Sequence, residues 1–400
     1  MGEGIKTAAF CAGAAALAIA AAVVEPESRA PEVFSDQGQV FFPRLVDPLA
    51  AKALEVVEYD EATATAQPFK VEFRRGRWTI PSHYNYPADA RDRLAKTAAA
   101  LVDLKKDQVR SDLADDHAKY AVIDPLDAKV ASLAGRGKRV TLRDEQGQVL
   151  ADLILGSPVK DKPGFRHARI PAQKRIYAVK TEADPSAKFE DWVETDLLKV
   201  QASAIKKITI HNYSINEQLG RLENVENLVL TRDGDNWKLA GAEKLQTARV
   251  QAMVAALDNL RIVGVRPKPA GMTADLKSSG SFQMSMETMM SLRQKGFFLT
   301  PDGRLLSNEG EVMAETADGV VYALRFGEIL TGQGETGQAK AKAQGGESRY
   351  LFVTASAARD AGETGQRQAR EASARFAEWY YVISGADFSK LRLRRKDLVR

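Results

Sequence analysis

The chain has 400 residues, enough for two domains or a fused pair, each with a core of its own. Its 44% apolar and 28% charged residues are those of an ordinary globular chain, and a net charge of +4 is too small at this length to argue for nucleic acid. A single cysteine excludes an internal disulfide framework and any cysteine-rich metal site.

In chain order, Thr7–Val24 comes first: it carries no charge, with Lys6 before it and Glu25 and Glu27 after. At 1.5 Å per residue such a run just reaches across the ~30 Å bilayer core. As an uncleaved anchor it leaves the N-terminus in the cytoplasm; as a cleaved signal it offers Ala20-Ala21-Ala22 to a peptidase. The long apolar region favours the anchor, and both readings put the globular part outside the cytoplasm. Residues 25–52, with Pro26, Pro31, Pro43 and Pro48, read as a stiff linker.

From there the chain reads as one design used twice, as a first repeat over 53–213 and a second over 214–400. Ala53–Asp60 and Phe69–Phe73 read as strands, and Trp78 and Trp237 each follow a tight polar turn, as the return strand of a hairpin does. Pro87 is expected near the first turn of the helix that follows. Leu94, Ala98 and Leu101 lie 16, 20 and 23 residues beyond Trp78, and Met253, Leu257 and Leu260 repeat those intervals beyond Trp237, one helix face in each case. A loop with a short helix, including Tyr120–Pro125, leads to the long hairpin Gly137–Gly156, which answers Gly310–Gly327. Aligned on the closing Gly156 and Gly327, Val149, Ala151, Leu153 and Leu155 match Val320, Tyr322, Leu324 and Phe326, a single apolar face at period two. Arg175–Glu182 is then paired with Arg349–Ser356, and Phe189–Trp192 with Phe376–Trp379. Ile205–Tyr213 is expected to close the first copy. The second copy carries a Met-rich helix within Phe282–Lys295 and polar insertions at 331–348 and 359–375, the latter able to form an exposed helix. The end, Leu391–Arg400, is basic.

The chain offers little chemistry. His83, His117, His167 and His211 form no ligand pair, Gly135–Lys138 lacks the residues of a phosphate loop, Asp233–Asn236 lacks the distal Glu of a calcium loop, and no nucleophile elbow is present. No catalytic, cofactor-binding or metal-ligating residue is therefore named. The residues singled out are structural: Trp78, Gly156, Trp192, Trp237, Gly327 and Trp379. The methionines could form an adaptable partner surface or simply pack a helix. The basic end could meet anionic headgroups or an acidic protein, or lie solvated.

The segments from Gly76 to Lys96, Tyr120–Pro125, the hairpin closing on Gly156, Arg175–Val179 and Phe189–Val200 together resemble the bacterial family known as domain of unknown function 4340. Tyr120–Pro125 departs from that family's Gly-Leu pair. The resemblance implies a membrane-anchored, externally exposed protein whose relatives are often encoded beside components of an ATP-driven transporter of the gliding-motility type. It supplies no catalytic residue. The expected fold is thus α+β: two related halves of antiparallel strands with helices on one face, behind one N-terminal transmembrane helix. The expected function is that of a non-catalytic accessory or scaffold subunit in the bacterial inner membrane, single-pass and periplasmic. It would have envelope or transporter membrane proteins as partners, the membrane itself through residues 7–24, no cofactor and no nucleic acid. The alternatives are a periplasmic module binding a glycan or peptide between the halves, and a hydrolase acting through scattered carboxylates.

Overall fold

Runs with apolar residues at every second position dominate the chain, and they pair into two large antiparallel sheets. The computed structural model describes residues 36–399, apart from 161, 217–218, 242–243, 277–284, 301 and 331–346. The expected membrane segment 7–24 and most of the expected 331–348 excursion lie outside the described residues. Among the described residues no helix is long and apolar enough to cross a membrane.

The first sheet contains β1 (Ala53–Asp60), β2 (Thr65–Arg74), β3 (Arg77–Ile80), β4 (Tyr86–Pro87), β5 (Gln108–Ser111), β6 (Lys138–Arg143), β7 (Val149–Pro158), β8 (Phe165–Arg169) and β9 (Ile176–Lys180), with helix α1 (Arg91–Ala99) between β4 and β5. Its spatial order is β4-β3-β2-β1-β6-β7-β8-β9-β5. The second contains β10 (Ile205–Asn216), β11 (Arg221–Asp233), β12 (Asn236–Leu239), β13 (Ile262–Pro267), β16 (Glu311–Thr316), β17 (Val320–Ile329), β18 (Ser348–Ala357) and β19 (Trp379–Ser384). Helix α2 (Thr247–Asp258) precedes β13; α3 (Met286–Gln294) and the hairpin of β14 (Phe297–Leu299) and β15 (Leu305–Ser307) follow it. Helix α4 (Glu363–Phe376) lies between β18 and β19, and α5 (Gly385–Leu391) and α6 (Arg395–Leu398) end the chain. The order is β12-β11-β10-β16-β17-β18-β19-β13. Apart from β4, the two orders match strand for strand. Each starts from a central strand, runs outward to a Trp-bearing strand, passes through a helix to the far edge, and returns by a long crossing segment.

The reason for the match is visible in the burial. Leu94, Ala98 and Leu101, and Met253, Leu257 and Leu260, are all buried in one apolar cluster that runs through both sheets. Helices α1, α2, α4, α5 and α6 all contribute to it. Helix α3 does not: its Leu292 joins Phe297, Phe352 and Tyr380 on the opposite face of the second sheet. The first sheet carries a smaller counterpart there, Val122, Ile154 and Ile176. The second sheet thus carries helices on both faces, where helices on one face alone were expected; the first sheet keeps its α-helix on one face.

Several sequence expectations need correction. The strand 205–213 belongs to the second sheet, hydrogen-bonded between β11 and β16, so it opens that half and does not close the first. By position in the sheets, β9 corresponds to β19 and β8 to β18, which unmakes the pairing of Arg175–Glu182 with Arg349–Ser356. Both segments are apolar central strands, and such strands look alike. Residues 36–52 are no free linker: Phe41, Phe42 and Leu45 are buried, and Phe41 N–H donates to the Leu104 carbonyl. The second half has the same lead-in arm, where Leu197 N–H donates to the Leu260 carbonyl. Pro87 sits in β4, four residues before α1 begins. Val149 leaves the apolar face because the register shifts between Leu142 and Arg143; the extra residue turns Leu150 inward in its place. The polar stretch 359–375 forms α4 with Ala369, Ala372 and Phe376 packed on the sheet. The basic end is not solvated along its length either: Leu391, Leu393 and Leu398 are buried, and Arg392 pairs with Glu309.

Candidate functional site

The six residues singled out from the sequence do not converge. Trp78 and Trp237 occupy equivalent strands, both half-buried, and Trp78 lies 5.3 Å from the Phe73 ring. Trp192 is buried in a one-turn helix after β9, its indole N–H donating to the Ser186 carbonyl at 2.8 Å, whereas Trp379 begins β19. Their shared Phe-x-x-Trp spelling therefore marks two different places. Gly156 and Gly327 are equivalent, and for one reason. A Cβ on Gly156 would collide with the Tyr120 carbonyl, and one on Gly327 with the Lys295 carbonyl, because the crossing segment runs flat against the strand at both points. The next residue fastens the crossing in each half: Ser157 N–H donates to Tyr120 at 3.1 Å, Glu328 N–H to Lys295 at 2.9 Å. The residue after each acceptor is left-handed, Ala121 at φ 54° and Gly296 at φ 79°. Ala121-Val122 thus holds the shape that Gly296-Phe297 holds in the second half, at some cost in backbone strain.

The halves meet in an aromatic seam. His83, from the first half, stacks on Phe189 with ring centres 4.3 Å apart, and Tyr86 meets Trp379 of the second half edge-on at 5.0 Å. Arg266 of β13 lies over Tyr84, 5.6 Å from the ring centre. Burial, with the positive charge of Arg266 added, pushes the His83 imidazolium down to about 4, so this histidine is neutral at ordinary pH. Burial likewise pushes the Tyr86 hydroxyl up to about 12.

Among the described residues, hollows open within each half. One of about 320 Å³ lies over Gly156, lined by Arg136, Lys138, Arg166 and Ser157. Its cations are engaged: Lys138 with Glu58 and Asp184, and Arg166 with Asp184 and the Gly156 carbonyl. Arg136 closes the loop that precedes it, donating to the carbonyls of Asp124, Asp127, Val130 and Ser132. Ser157 and His167 approach each other at 3.2 Å, but His167 Nδ1 lies closer, 2.9 Å, to the Ser157 carbonyl. A carbonyl can only accept, so Nδ1 carries the proton and cannot take one from Ser157. A second hollow of about 310 Å³ lies at the start of α4, beside Lys206 and Asp318. Another, of about 280 Å³, lies between α3 and β14 and is mostly apolar: Met286, Met289, Met290, Leu292 and Phe298 line it, with Arg293 among them. Met286 is 69% and Met290 55% exposed.

Elsewhere the charges serve the fold. Arg139 is paired with Asp124 and Asp152, and its hydrogen bonds to Asp152 raise it above the ordinary arginine range. Glu311, despite burial that pushes the other way, is held below the carboxylate range by His211 and Arg325. Lys268, half-buried under the crossing segment of the second half, is pushed down to about 8 by burial and by the charge of Arg325. Among the described residues no group of three or more His, Cys, Asp or Glu side chains is placed to hold a metal ion. From sequence, the methionines were legible as a cluster that suits either a partner surface or ordinary helix packing; the seam was not legible, because His83, Tyr86 and Trp379 carry no signal of mutual contact.

The family described as Domain of unknown function (DUF4340) matches residues 78–279, just over half of the chain, and the chain belongs to it. No curated protein matches, and no solved structure matches.

Proposed function

From that family membership, we propose that this chain is a non-catalytic, membrane-anchored envelope protein, an accessory or scaffold subunit of a transporter-like complex. Residues 7–24 anchor it in a bacterial inner membrane, and the globular part stands on the periplasmic side. That part consists of two descendants of one ancestral module, a reading supported by the matching strand orders and the matching Gly156 and Gly327 crossings.

The observation that carries the docking role is the apolar hollow on α3. Exposed methionines over a small hydrophobic recess suit a protein surface that packs against another, because the thioether chain adapts its shape to its partner. The two halves of the surrounding body are joined by edge-on packing of Tyr86 against Trp379. The ligand-binding alternative draws less support, since among the described residues aromatic side chains pack where the halves meet. To test the docking role, a photo-crosslinking amino acid is placed at Met290 in cells. Adducts containing an envelope or transporter protein are expected; a crosslink pattern empty of such proteins refutes the reading.

A further inference from the structure

We infer that one end of the first sheet is a lipid-contact face, lying against the bilayer through Val46, Leu49, Leu113 and Val149. This deepens the proposal above and rests on its membrane anchor. Strand direction reverses at each step of an antiparallel sheet. The start of β1, the start of β7, the start of β9 and the end of β5 therefore fall at the same end. Val46 and Leu49 precede β1, Val149 opens β7, and Leu113 follows β5; they are 79%, 61%, 39% and 65% exposed. At the other end, the β1–β2 and β7–β8 turns expose Glu61, Thr63, Lys160 and Lys162, and the loop before β6 exposes two leucines, Leu126 and Leu133. A lone exposed leucine is ordinary. Four aliphatic side chains exposed at one end of the sheet form a patch.

The chain itself indicates what covers the patch. Asp36, the first described residue, accepts hydrogen bonds from Arg175 at 3.0 Å and from Lys106 at 3.2 Å. Arg175, just before β9, also holds Asp112, the neighbour of Leu113. The apolar segment ending at Val24 is thus tied to the body beside this end, through residues 25–35. Even fully extended, that stretch reaches at most roughly 40 Å. The end is electrically mixed, with Arg44 and Lys174 exposed alongside Asp47, Asp112, Asp115 and Glu145, so the aliphatic side chains carry the contact. The long basic stems can still reach headgroups around them.

The test uses the full-length chain reconstituted into vesicles of phosphatidylethanolamine and phosphatidylglycerol containing nitroxide-labelled lipid. A polarity-sensitive fluorophore is attached to Val46→Cys, Leu113→Cys or Thr63→Cys, each with Cys11→Ser, and separately to the native Cys11. All three new positions are exposed, so folding is not at stake. Labels at 46 and 113 are expected to be quenched roughly twofold more than the label at 63, as insertion of side chains ~5–10 Å into the interface requires. Equal quenching at all three, with the Cys11 label strongly quenched, overturns the contact face and leaves the anchor standing. An unquenched Cys11 label with unquenched 46 and 113 overturns both. Quenching at 46 and 113 with an unquenched Cys11 label supports the face and removes the anchor.

Discussion

Acidification should weaken this protein through His83 before its carboxylates titrate. The imidazole is stacked on Phe189 inside the seam, and its folded value of about 4 lies below the ordinary histidine value of 6.5. For a base whose folded pKa is lowered, the unfolded chain takes up the proton first. Stability is therefore whole above pH 6.5 and is lost as pH falls from 6.5 towards 4. The two values imply a loss of roughly 2 kcal/mol at pH 5 and at most about 3 kcal/mol at pH 4. Urea unfolding of the wild type and of His83→Phe at pH 7.5, 6, 5 and 4 isolates this contribution. The phenylalanine keeps the stack and cannot titrate, and every other ionisable group cancels in the difference. The variant should gain on the wild type by about 2 kcal/mol between pH 7.5 and pH 5. A difference that stays flat across that range would refute the account of the seam.

The remaining predictions concern positions where the backbone or the core decides. Ala121→Gly should leave stability unchanged or raise it by up to about 1 kcal/mol, because the left-handed backbone no longer carries a Cβ. Gly296→Ala, at the matching position but with the Glu328 amide in the way, should cost about 2 kcal/mol or more by thermal unfolding. Equal effects of the two changes would contradict the equivalence of the crossings. Arg136→Ala should cost about 3 kcal/mol by freeing four main-chain carbonyls, and should admit limited proteolysis between Asp124 and Gly135; an unchanged digest would count against its clasping role. Leu398→Ala should cost about 2–4 kcal/mol in denaturant unfolding, whereas Arg394→Ala on the exposed side of the same tail should cost under about 0.5 kcal/mol. A tail that is merely solvated would show no cost for Leu398→Ala either.

Much of the architecture was legible wherever a residue's environment is set by its near neighbours. The Trp78 and Trp237 strands, the helix faces of Leu94 and Met253, and the closing Gly156 and Gly327 all follow from short-range periodicity or from a turn. What failed was anything needing long-range register. Arg175–Glu182 and Arg349–Ser356 share an apolar pattern, yet hydrogen-bond partners place them in different columns of their sheets. Phe-x-x-Trp occurs twice because aromatic side chains suit any sheet margin. The burial of Phe41 and Phe42 was masked by the prolines around them, which look like a linker when their hydrogen-bond partners more than sixty residues away are unseen. Of the candidate surface, the methionines were legible as a cluster, but only the β14–β15 hairpin makes a recess beside them.

The lead-in arm has a consequence for how the gene can be divided. Trp192 is sealed into the first sheet's core while Leu197, five residues on, is already bonded beside the strand that edges the second. No flexible joint separates these commitments, and the apolar cluster passes from one sheet to the other without a break. Halves expressed apart would each bare a raw interior wall. The intact protein should accordingly melt as a single cooperative body, with one calorimetric peak.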